Sequence, residues 1–230
     1  MTSRRVPPRP CGREETRVEA VAQFDAAFRA RFADLVAWRR DVRRFRTEPV
    51  DLAALAACID LAVAGPSVGN SQPWRFVTVT DPGRREAVTA EFARCDAAAA
   101  AGYDGEQAAA YRRLKLAGLA EAPVHLGVFC DGGTTVGHGL GRATMPETLR
   151  DSVVAAVQTF WLAARAHGLG VGWVSILEPA RVRAILELPE SWVLVAYLCV
   201  GLPVEEHRDP ELERHGWQAR LARAEVVFAR

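Results

Sequence analysis

Lysine is almost missing from this sequence: Lys115 is the only one among 29 basic residues, and the rest are arginine. A bias of this kind reflects genomic composition more than mechanism. It still singles out Lys115, because an ammonium is a compact point charge that a planar guanidinium does not replace. Net charge is missing too, at +1 from 29 basic and 28 acidic residues. That balance requires neither nucleic acid nor an anionic membrane as partner, so any anion site must be local. No segment has the apolar length needed to cross a bilayer. The basic, proline-rich start, MTSRRVPPRP, is followed by no apolar run and reads as neither signal peptide nor anchor. Cysteine is sparse and unpatterned: Cys11, Cys58, Cys95, Cys130 and Cys199 are odd in number and contain no CxxC pair. This argues against a zinc site or a redox pair and fits a reducing cytoplasm. His125, His138, His167, His207 and His215 show no ligand spacing, so no metal is expected. The glycines of Gly137 to Gly141 do not join a strand to a helix, which removes a dinucleotide fingerprint, and there is no GxSxG elbow or P-loop.

What is present is a chain of 230 residues, half of them apolar, long enough for one full core. Residues up to about Glu15 read as a disordered arm and residues 16–230 as a single domain, with no internal linker or repeat. Apolar residues at helical spacing (Phe24, Phe28, Phe32, Leu35, Val36) predict a first helix from Ala20 to about Arg40, ending in a basic cluster. A second helix follows, N-capped by Asp51 and stopped by Gly65-Pro66. Strands are expected at Trp74–Thr80, Pro123–Cys130, Gly170–Ile176 and Trp192–Val200. The second is a nearly continuous apolar run of the kind covered on both faces. Further helices are expected at Arg84–Ala101, Glu106–Leu119, Glu147–His167 and Pro179–Leu186; the first two read as a cap and the third as the central buried helix. The apolar end, Val226-Val227-Phe228, could add a strand to a sheet edge, in this subunit or a partner. Helices interleaved with buried strands give an α/β sandwich around a small sheet.

Chemistry concentrates where Arg39, Arg40, Arg43, Arg44 and Arg46 crowd the end of the first helix, since forked guanidinium groups pair bidentately with phosphate oxygens. A solvated basic helix end complementing the macrodipole gives the same pattern. Asp41 inside the cluster is either an ion-pair partner or a carboxylate able to exchange protons at a ligand's edge. The Pro66 to Trp74 loop offers hydroxyl and amide groups. The run Gly170 to Ser175 offers glycines, where backbone could approach a flat ring, and then a hydroxyl.

RRDVRRF, AGPSVGNSQPWRF, YRRLKLAGLAEAPV, the run from GRATMPET to GVGWVSIL, VAYLCVGLPVE and GWQARL together resemble the nitroreductase superfamily. Within it they resemble the 5,6-dimethylbenzimidazole synthase family, from about Phe24 to the C-terminus. The resemblance implies an α/β (α+β) three-layer sandwich: a central, mostly antiparallel sheet flanked by helices, in a domain-swapped homodimer with FMN at the subunit interface. It implies that reduced FMN is the substrate, fragmented with dioxygen to dimethylbenzimidazole and erythrose 4-phosphate on the way to cobalamin, with electrons from a separate NAD(P)H flavin reductase. By position, Arg39, Arg40, Arg43 and Arg220 match the phosphate and ribityl contacts, Ser67 the flavin loop, Gly172 and Val174 the strand beside the ring, and Lys115 the segment closing over it. Asp41 and Ser175 match the residues tied to the chemistry. An ordinary NAD(P)H-dependent FMN nitroreductase or flavin reductase is the alternative, followed by a non-catalytic flavin-binding protein.

Overall fold

The computed structural model describes residues 23–230. The expected N-terminal arm and the start of the expected first helix, Ala20 to Ala22, lie outside the described residues. Helix α1 (Ala26–Trp38) begins where the Asp25 carboxylate accepts the Phe28 N–H. None of its residues is buried, and Phe24, Phe28, Phe32 and Val36 form an exposed apolar row at four-residue spacing. Helix α2 (Leu52–Val63) is capped by Asp51, as the sequence predicts.

Strand β1 (Trp74–Thr78) opens a sheet completed by β2 (Val124–Asp131), β3 (Gly170–Val174) and β4 (Trp192–Gly201), in the spatial order β1-β2-β4-β3. Every pairing is antiparallel. The register shifts between Val128 and Phe129, where Val195 is the extra residue on β4. Strand alternation sends Leu126, Val128, Leu198 and Val200 to one face and Phe129, Tyr197 and Cys199 to the other. The first face is covered by α2 and by α5 (Thr148–Ala166), whose Val153, Val157 and Phe160 are fully buried. The second is covered by α3 (Pro82–Ala100) and α6 (Pro179–Ile185). Three layers result, with apolar strands sandwiched between helices.

Two expectations change. The helix expected to run to Leu119 is α4 (Gly105–Arg113) and stops six residues earlier, at an extended Leu114. The chain beyond it is used differently: the Lys115 carbonyl accepts from Arg43, the Leu119 carbonyl hydrogen-bonds the His125 ring, and a Cβ at Gly118 would lie 2.5 Å from the Phe45 ring. A continuing helix would have given the Lys115 carbonyl to the Leu119 N–H. Helix α3, expected as part of a cap, is tied into the core by fully buried Val88 and by Glu91, which takes Arg94 from its own helix and Arg181 from α6. After α7 (Glu211–Arg214), the apolar end Val226-Val227-Phe228 forms no strand and stays exposed.

Candidate flavin-phosphate site

Between α1 and α2 the chain runs extended along β3 as a partial fifth strand. Arg39 caps α1 with extended backbone, Asp41 bridges Val171 in parallel, and the Val42 N–H donates to the Val171 carbonyl at 3.0 Å. Gly172 permits the approach, because a Cβ there would sit 2.1 Å from the Val42 oxygen. The sequence reading gave this glycine to a flat ligand; in the structure its missing side chain makes room for the arginine segment itself.

Of the five arginines, Arg43, Arg44 and Arg46 are ion-paired within the described residues and Arg39 and Arg40 are not. Arg44 is held by Glu205 and Glu211, and Arg46 by Glu48. Arg39, Arg40 and Arg220 make no ion pair among the described residues and line one pocket of about 240 Å³ with Asp41 and Arg43. Arg39 stacks over the Trp161 ring, 4.6 Å from its centroid. Arg40 is held by neutral acceptors only, the carbonyls of Arg208 and Arg39. Burial lowers the pKa of both groups; Asp41 pulls that of Arg39 back up, and the nearby Arg220 lowers both. Guanidinium groups remain charged regardless. The two carboxylates that also line the pocket, Asp41 and Glu211, are taken up by Arg43 and Arg44, so the three guanidinium groups left without an ion pair suit an anion.

Arg43 instead bridges, its Nε to Asp41 Oδ2 at 2.9 Å and its Nη1 to the Lys115 carbonyl at 3.0 Å. Asp41 Oδ1 accepts the Trp173 N–H at 2.8 Å. Burial pushes the Asp41 carboxyl up, against the opposing pull of Arg43 and the Trp173 N–H. A third of the side chain, 32%, is still open to the pocket. Ser175 is exposed just past the end of β3, two residues beyond Trp173. It lines a second pocket, of about 220 Å³, with Arg150, Trp173 and Val174. Val174 itself is buried in the core, leaving only its backbone for a ligand.

The structure thus brings together Arg39, Arg40, Asp41, Arg43 and Arg220, with Lys115 joined through its carbonyl while its ammonium pairs with Glu121. Ser67 is not brought there. It precedes β1, at the opposite edge of the sheet, where its hydroxyl accepts the Gln72 N–H. Three strand spacings, about 14 Å, separate β1 from β3. Sequence reasoning missed Trp161 and Trp173. The first gives only a core signal on α5, and the second acts through its backbone, which no side-chain pattern reports.

The nitroreductase family model matches residues 36–202. The chain belongs to the nitroreductase family. That match takes in Asp41, Ser67, Lys115 and Ser175 and stops short of Arg220. The chain is 60% identical over 200 residues to the 5,6-dimethylbenzimidazole synthase of Rhodospirillum rubrum, covering 86% of this chain and 93% of that protein. To the 5,6-dimethylbenzimidazole synthase of Rhodobacter capsulatus it is 47% identical over 201 residues, 86% of this chain and 96% of that one. Iodotyrosine deiodinase, solved with FMN and 3-iodo-L-tyrosine, aligns with a TM-score of 0.67 at 26% identity, covering 86% of this chain and 97% of the deiodinase. In this nitroreductase-family fold the arginine segment lies beside the β3 edge, and among the described residues no helix is long and apolar enough to cross a membrane.

Proposed function

We propose that this protein is a 5,6-dimethylbenzimidazole synthase that consumes reduced FMN in the presence of dioxygen. The observation that carries the reading is the alignment of an unpaired arginine set, Arg39, Arg40 and Arg220, with a proton-exchanging carboxylate, Asp41, on the strand edge leading to Ser175. Identity of 60% to a synthase of that name supports the same substrate.

The donor set fits a terminal phosphate. Arg39, Arg40 and Arg220 hold it, and Arg43 stays with Asp41. Reduced FMN supplies the electron-rich ring system that reacts with dioxygen. Fragmenting that ring needs several proton transfers, and Asp41 is built for them: each carboxylate oxygen accepts one hydrogen bond from the protein and keeps a second lone pair free. Its upward-shifted pKa brings it nearer to neutrality, where it can accept and return a proton in turn. The Ser175 hydroxyl makes no hydrogen bond within the described residues and is free to orient the reacting ring. Gly172 keeps the arginine segment against β3, and the Lys115 carbonyl fixes Arg43.

Ser67 lies in the loop leading to β1 and Asp41 beside β3, the two edge strands of the sheet, and a flavin touched by both sits between two copies on this reading. The exposed apolar row of α1 supplies a face for that homodimer. The free thiols of Cys58, Cys95, Cys130 and Cys199 suit the cytoplasm, with a separate NAD(P)H flavin reductase as electron source.

The test gives purified protein chemically reduced FMN and air and looks for dimethylbenzimidazole by mass spectrometry. Its absence at saturating reduced flavin would refute the reading. Rapid bleaching of bound flavin by NADPH alone, in stopped flow, would identify a flavin reductase instead.

A further inference from the structure

We propose that Trp161 is a positioning residue of the phosphate end of the site, its indole holding Arg39 and Arg40 in place for a terminal phosphate without neutralising them. The proposal rests on the flavin-phosphate reading above.

The argument begins from what an arginine costs to hold. A long guanidinium side chain loses rotamer entropy when fixed, and proteins ordinarily offset that with a carboxylate. Two neighbours on the same segment are held this way, Arg44 by Glu205 and Glu211, and Arg46 by Glu48. Each is then unavailable to an anion. Arg39 and Arg40 are fixed by groups that carry no charge. The Trp161 ring lies under the Arg39 guanidinium at 4.6 Å, a contact that draws on the ring's quadrupole and leaves the positive charge intact. The same indole donates its Nε1–H to the Arg40 carbonyl at 3.3 Å, so one side chain fixes the side chain of Arg39 and the backbone of Arg40.

Trp161 is itself immobilised. It lies on α5 with 8% of its surface exposed, and its ring packs 6.1 Å from that of Trp173. Trp173 in turn gives its backbone N–H to Asp41. The two tryptophans therefore tie the phosphate-binding arginines and the proton-exchanging carboxylate to one rigid layer of the core. Such preorganisation strengthens binding of the group it faces and leaves contacts elsewhere on the ligand unchanged.

The chemical signature is discrimination between FMN and riboflavin, which differ only in the phosphate. Affinities for both oxidised flavins are measured by fluorescence titration on the full-length protein and on Trp161→Phe and Trp161→Leu. Trp161→Phe keeps a ring under Arg39 and loses the N–H; its FMN affinity is expected to fall about 3- to 10-fold. Trp161→Leu loses both contacts and is expected to fall more than about 10-fold. Riboflavin affinity should stay within about 2-fold in all three proteins, so the FMN-to-riboflavin ratio drops in step.

An unchanged ratio in a folded variant, or equal loss of both flavins, would overturn the proposal, the second because it reports a general packing defect. If Trp161→Leu fails to fold, Trp161→Phe decides. A parent protein that does not distinguish FMN from riboflavin also overturns it. Strong preference for FMN that tracks Trp161, with no dimethylbenzimidazole formed, would support the positioning role and refute only the synthase reading.

Discussion

The Asp41 carboxylate accepts the backbone N–H of Trp173 at 2.8 Å, and this bond fastens the arginine segment to the strand that ends at Val174, just before Ser175. The arginine segment and the carboxylate thereby share one mount. Asp41→Asn keeps the oxygen that accepts from Trp173 and loses the titratable group. Flavin affinity is expected within about 3-fold of the parent, whereas dimethylbenzimidazole formation falls by about 100-fold or more. Product quantified by mass spectrometry checks this, and a parent rate in the variant would remove Asp41 from the chemistry.

The acid side of the pH–rate profile should report Asp41. Burial raises its pKa, so the carboxylate takes up its proton at higher pH than an ordinary aspartate, near 4, would. Activity that needs the ionised form is lost as pH falls through that raised value. Single-turnover rates followed from acid to neutral pH should show an inflection above the usual carboxylate range that disappears in Asp41→Asn.

His125 offers a stability test away from the site. Fully enclosed between the Tyr197 hydroxyl and the Leu119 carbonyl, it has its pKa lowered to about 4, chiefly by burial and then by Arg85. The unfolded chain binds this proton near pH 6.5. Its contribution is therefore complete above about pH 6.5 and is lost as pH falls toward 4, an amount on the order of 3 kcal/mol. Thermal melts against pH should steepen in that window, and His125→Gln should flatten it. Equal slopes in the two proteins would disprove the linkage.

Gly172→Ala places a methyl against the Val42 carbonyl, at an ideal separation of 2.1 Å. Overpacking of this kind costs about 1–3 kcal/mol. Since backbone must give, the arginine segment should move off β3, lowering Tm and weakening FMN more than riboflavin. Calorimetry with flavin titration measures both.

If two copies share each site, an Asp41→Asn chain and a chain with Ser67→Trp should complement. Each homodimer is expected to be inactive, and a random mixture should recover about a quarter of parental activity, because mixed dimers hold one intact site. Absence of recovery in verified heterodimers would mean that Ser67 and Asp41 serve a site built within one chain, against the shared site.

Much of the fold was legible because strands and helices announce themselves locally. The nearly continuous apolar run from Pro123 to Cys130 reads as a strand covered on both faces, and Asp51 before Leu52 marks a helix start by its own cap. The end of α4 was not legible, since Leu114 to Leu119 has helical composition and is drawn out of the helix by partners far along the chain, Arg43 and His125. The row of arginines was visible; which of them remain free for an anion was not.

By itself the sequence determined the elements, the concentration of guanidinium groups after α1, and the presence of a carboxylate and a hydroxyl in fixed local settings, because these depend on neighbours a few residues away. Only the tertiary structure decided that Glu205 and Glu211 occupy Arg44, that Trp161 holds Arg39 and Arg40 uncancelled, and that Ser67 and Asp41 face opposite edges of one sheet. Those facts depend on contacts between residues more than a hundred positions apart or on the order of strands in the sheet, and no local propensity encodes either.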